Sequence, residues 1–211
     1  ALLTGLALVS LPLRAQAPGG RLLVLSKGDQ TLSVVDPATG NVLWSVPSGP
    51  NPHEVIASDD GTRAYISNYT PHNTLTVIDL VNRKGLPIID LGALRNPHGL
   101  AYAGGKVWFT AEGAGAVGSY DPVSNRVERT FPTGEDRTHM VEVTADPERV
   151  LTTNTGSGTV SIVEWGAGGG PVQTVVPTGP GVEGFDISPD EREVWAANAG
   201  DGTISVIDLA G

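Results

Sequence analysis

Three of the four histidines stand at matched places in the chain: His53 in NPHEV, His98 in NPHGL and His139 in RTHMV. A fourth copy of the pattern, GVEGF, carries Glu183 at the same place. Imidazole nitrogens and a carboxylate brought to one point form a donor set for Zn²⁺ or another borderline divalent ion, and the same groups can move protons. Asn68, Asn154 and Asn198 follow fifteen residues after His53, His139 and Glu183, and Ala111 takes the corresponding place after His98. If each pair closes one hairpin, the turns fall on Asp60-Gly61, Gly104-Gly105, Asp146-Pro147 and Asp190-Glu191, all turn-forming dipeptides. Each His or Glu then sits opposite its Asn, whose amide could orient the imidazole. The competing reading is structural: a histidine copied within a repeat can simply bond loop carbonyls of the next unit. His72 lies off the pattern, and Glu54 and Glu142 flank it.

The elements that must position these residues come from a repeat. QTLSVVD, NTLTVID, GAVGSYD, GTVSIVE and GTISVID end at Asp36, Asp79, Asp121, Glu164 and Asp208, with spacings of 43, 42, 43 and 44 residues. A period near 43 with several short strands per unit predicts four-stranded antiparallel β-propeller blades. In the second unit the strands, A to D from the axis outward, are HEVIAS, AYISN, TLTVID and LPIIDLG. The repeated acid reads as a turn cap, as in Asp36-Pro37 and Asp121-Pro122, and Trp108 and Trp195 read as packing between blades. Strand A opens with the His or Glu, so these side chains are expected around the mouth of the central channel. The first unit has no strand A and the last no strand D. About 4.5 blades are therefore expected, as an open arc cut from a longer propeller.

Residues 1–17 read as a signal peptide lacking its N-terminal portion. An apolar run, ALLTGLALVSLPL, too short to span a bilayer, precedes Arg14 and the cleavage-type sequence Ala15-Gln16-Ala17. The propeller repeats occupy 18–211, with no membrane span after cleavage and a periplasmic or secreted location expected. A net charge of −10 opposes nucleic-acid binding. The absence of cysteine excludes disulfides, thiolate metal sites and iron–sulfur clusters. The 28 glycines and 16 prolines exclude a helical bundle.

PHEVIASDDGTRAYISN with NTLTVID, and EGFDISPDEREVWAAN with GTISVID, resemble the YVTN-type β-propeller repeats of exported and surface-layer proteins. The resemblance implies a seven-bladed parent and an exported, non-catalytic scaffold binding a protein, glycan or small ligand at its loop-rich face. GGKVWFTAEGAGAVGSYDP is similar to the repeat of streptogramin lyases, which implies the alternative: a metal-dependent lyase or lactonase with a His/Glu ring at the channel mouth. Those enzymes read W-F-T-E where Ala111 intervenes before Glu112 here. The expected binding residues are His53, His98, His139, Glu183, Asn68, Asn154 and Asn198, and a divalent ion would fall to the first four.

Overall fold

A computed structural model describes residues 19–166 and 170–210; the segment read as a signal peptide lies outside the described residues. Val, Ile, Thr and aromatic residues alternate along short strands separated by Gly, Asp and Asn turns, and the chain folds into five antiparallel sheets. Blade one contains β1 (Leu22–Ser26), β2 (Thr31–Val35) and β3 (Val42–Pro47). Blade two contains β4 (Pro52–Ala57), β5 (Arg63–Asn68), β6 (Thr74–Asp79) and the short β7 (Lys84–Gly85) and β8 (Ile89–Asp90). Blade three contains β9 (Pro97–Ala103), β10 (Lys106–Ala111), β11 (Ala116–Asp121) and β12 (Arg126–Pro132). Blade four contains β13 (Thr138–Val143), β14 (Arg149–Asn154), β15 (Thr159–Glu164) and β16 (Val172–Pro177). Blade five contains β17 (Val182–Ile187), β18 (Glu193–Asn198) and β19 (Thr203–Asp208).

This is the all-β propeller arc that the period predicts, with three-stranded sheets at both ends. The inner strands pack side by side, β4 against β9, β9 against β13 and β13 against β17, as strands ringing a channel must. The outer strand of blade two is split: β7 and β8 both pair with β6, and Pro87 between them has no N–H for the ladder.

The core lies between sheets. Tyr65 and Leu75 meet Phe109 and Val107 between blades two and three, while Trp108 and Val117 meet Val141 and Val150 between three and four. Trp195 departs from expectation. It is half exposed on blade five, its indole N–H bonded to Glu193, because no described sheet covers that face. The repeated aspartates cap turns as expected: Asp36 accepts from the Ala38 amide, Asp79 from Val81 and Asn82, and Asp121 from Val123.

Candidate functional site

Each inner strand enters the rim through a residue in the left-handed region: Asn51 (φ 44°), Asn96 (φ 55°), Arg137 (φ 57°) and Gly181 (φ 65°). Asn and Gly tolerate this conformation; Arg137 is strained there, and its guanidinium is held at the rim by a carboxylate. The carbonyl of each of these residues accepts the amide of the residue just beyond strand B: Tyr69, Glu112, Thr155 and Ala199. A second ring of side chains is thereby fixed beside the first.

The register at the rim differs from the simple hairpin. Pro52, Pro97, Thr138 and Val182 lie opposite Asn68, Ala111, Asn154 and Asn198, and a bulge follows in every inner strand. The extra residue moves each His or Glu one place off its expected partner. The asparagine amides accordingly serve their own blades. Asn68 donates to Thr74 and Thr76, Asn154 to Thr159 and Ser161, and Asn198 to Thr203 and Ser205.

The bulges also join the blades. The Gly99 amide donates to Thr110 Oγ1, which donates to the carbonyl of His139 on the next blade. One step around, the Met140 amide donates to Thr153 Oγ1, which donates to the carbonyl of Glu183. Gly99 permits the approach: a Cβ there would stand 2.7 Å from Met140 Cα.

The result is a continuous row of side chains. The Lys27 ammonium donates to His53 Nδ1 at 2.8 Å, so the ring proton of His53 sits on Nε2. His53 meets His98 with ring centroids 4.3 Å apart, and His98 lies over His139 at 3.8 Å. His139 Nδ1 lies 3.1 Å from Glu112 Oε2, and its Nε2 is 3.5 Å from Glu183 Oε1. Tyr69 stands edge-on to His98 and hydrogen-bonds Glu112, which also accepts from Arg137 Nε at 3.0 Å. His98 and His139 are buried, whereas the Glu183 side chain is exposed.

Burial, reinforced by His139 and His53, pushes His98 down to about 3 and keeps it neutral. His53 is lowered by burial and by Lys27. For Glu112 burial acts upward, but hydrogen bonds from His139, Arg137 and Tyr69 outweigh it and hold the carboxyl at about 2. Glu54, half-buried beside the row, is raised by desolvation.

The three histidines and Glu183 thus meet as a row rather than around one point. Two groups bring one donor atom from each member within 4.8 Å of one another: His53, Glu54 and His98; and His98, Glu112 and His139. Sequence reasoning set Glu112 aside and missed Lys27, Tyr69 and Arg137. Tyr69 and Glu112 share a signal, since each directly follows the last residue of strand B. His98 Nδ1 is buried with no hydrogen-bond partner among the described residues.

No protein-family model matches the chain, and no curated protein matches it. Solved structures do. A functionally unknown protein from Desulfotomaculum acetoxidans superposes with a TM-score of 0.70 at 17% identity, over 88% of this chain and 65% of that one. A candidate 6-phosphogluconolactonase from Bacteroides uniformis gives 0.74 at 16% identity, over 92% and 65%. The RRP9 WD40 repeats give 0.75 at 17% identity, over 90% and 57%. The likeness is one of β-propeller fold, and the chain spans less than two thirds of each of these neighbours.

Proposed function

We propose that the protein is an exported, YVTN-type β-propeller that holds a protein, glycan or small ligand at the histidine-lined mouth of its channel, as a binding scaffold. One observation carries this reading. Side chains from successive blades are gathered there in unbroken contact, and the buried His98 keeps a ring nitrogen that no group among the described residues satisfies. A histidine used only for blade packing would have both nitrogens bonded or solvated, since an orphaned buried polar atom is destabilising. The repeat segments support the YVTN assignment, and the apolar run ending in Ala15-Gln16-Ala17 supports periplasmic or secreted export.

The test is a thermal-shift screen of sugars, lactones and small carboxylates, with and without divalent cations. Wild type is compared with a His53→Gln/His139→Gln double variant. Stabilisation seen in wild type and lost in the variant is the expected result; stabilisation of equal size in both places binding elsewhere and sinks the reading.

A metal-dependent lyase or lactonase is the second reading, favoured by the Glu112–His139 contact, because a carboxylate-oriented imidazole is suited to proton transfer. Lactone turnover abolished by His139→Gln would replace the scaffold reading with this one.

A further inference from the structure

We propose that His98, Glu112 and His139 bind one divalent metal ion of the zinc type at the junction of blades three and four. The proposal rests on the mouth being a ligand-binding face, and it names the class of ligand.

Donor atoms of these three residues already lie within 4.8 Å of one another. His98 is only 4% exposed, and its Nδ1 has no partner among the described residues. A neutral imidazole has one lone pair to offer, and a buried, unpartnered ring nitrogen beside a carboxylate is placed to give it to a metal ion. Glu112 is fixed by Arg137 and Tyr69, so its oxygens are aimed before any ion arrives. On the far side of His139, Nε2 faces Glu183 Oε1 at 3.5 Å. A proton on Nε2 directed at that carboxylate leaves Nδ1, 3.1 Å from Glu112 Oε2, as the ligand atom on the side of the ion. Blade five thus offers a carboxylate that orients His139 from outside the ligand shell.

The other candidate group fails on charge. The Lys27 ammonium is bonded to the neutral His53 ring, where its charge is uncompensated and repels a dication, whereas the Arg137 charge is paired with Glu112. The upstream end of the row is therefore closed to metal and the downstream end open. Two imidazole nitrogens with a carboxylate suit zinc-like ions, whereas Mg²⁺ and Ca²⁺ prefer all-oxygen shells.

The test uses the chelator-stripped protein and Zn²⁺ alone. Calorimetry with elemental analysis should find one equivalent bound and a raised thermal midpoint. Co²⁺ in its place should show visible bands of a low-symmetry nitrogen–oxygen site. Glu112→Gln and His98→Gln should each weaken binding about 100-fold. His72→Gln, which touches neither group, should not.

Because His98 is buried and its variant can misfold, imidazole ¹⁵N spectra of wild type give a variant-free readout. The ring nitrogens of His98 and His139 should shift on adding Zn²⁺, and those of His53 and His72 should stay in place. Absence of stoichiometric binding, unaltered binding in Glu112→Gln, or shifts at His53 in place of His98 would each overturn the assignment. Rim-dependent stabilisation by an organic compound without stoichiometric Zn²⁺ would remove the metal and leave the mouth reading standing. Loss of every rim-dependent shift, with Zn²⁺ or organic compounds, would remove both.

Discussion

Blade three is built differently from the blades on either side of it, and the difference locates the chemistry. In blades two, four and five, strand B ends in a buried asparagine whose amide ties two hydroxyls of strand C. In blade three the asparagine is Ala111 and the hydroxyl positions are Ala116 and Gly118. The phenyl ring of Phe109 fills the space: a Cβ on Gly118 would lie 2.8 Å from Phe109 Cζ. The B–C connection is instead a 3-10 turn, Glu112–Ala114, closed by Gly115 at φ 55°. That turn begins with Glu112, the carboxylate that organises the rim. The repeat supplies positions around a channel; chemistry enters where one copy abandons the shared pattern.

The largest effect expected from this contrast comes from moving the asparagine. Asn68→Ala strips Thr74 and Thr76 of a buried partner, and should lower stability by about 2–3 kcal/mol, or roughly 5–10 °C in a chain of this size. Ala111→Asn should also destabilise, by about 2 kcal/mol, because Ala116 and Gly118 offer its amide no hydroxyl. Urea unfolding of both variants decides the matter. A stabilising Ala111→Asn would show that blade three had merely lost the motif.

Somewhat smaller is the effect of restoring the strand-C residue. Gly118→Ser would press on Phe109 and on the Arg129 carbonyl, costing about 1–2 kcal/mol, although serine is native at the matching positions 161 and 205. Unchanged unfolding midpoints would mean that Phe109 has room to move, and the packing contrast between the blades would fall.

The period of about 43 residues made the blades legible, since each strand C ends in an acid, and the four aspartates among the five cap the turn that follows. The histidine row was legible for the same reason: one register position recurs. The bulges were not. Inserting one residue between Pro52 and Val55 leaves the apolar pattern nearer the turn intact, so the hairpin arithmetic stayed consistent while the asparagines moved off the histidines. Lys27 and Tyr69 share no residue type with one another, and only the backbone bond that fixes the residue after strand B places Tyr69 at the rim. Ala111 breaks the recurring pattern at the end of strand B, and Glu112 reaches the histidines through the turn that follows.

The subtlest comparison sets two carboxyls in opposite states, Glu112 in blade three and Glu142 in blade four. Burial pushes Glu142 up to about 7, with the Asp186 charge adding to it. The folded protein therefore holds a proton there that the unfolded chain has released, so stability is fullest below about pH 4.5 and declines as pH rises towards 7. Glu142→Gln should be more stable than wild type at pH 8 by about 1–2 kcal/mol, allowing for solvent screening of a half-buried group, and no more stable at pH 4. Glu112 runs the other way. Its folded value of about 2 lies below the ordinary one, so its contribution is in place above about pH 4.5 and is lost as pH falls towards 2. Glu112→Gln should thus be less stable than wild type at pH 7, the gap closing in acid. Thermal midpoints of the two variants across pH 2–8 should diverge from wild type in opposite directions at neutral pH and approach it in acid. Curves that ran parallel would mean that burial alone governs both groups, and that the donors around Glu112 do not set it apart.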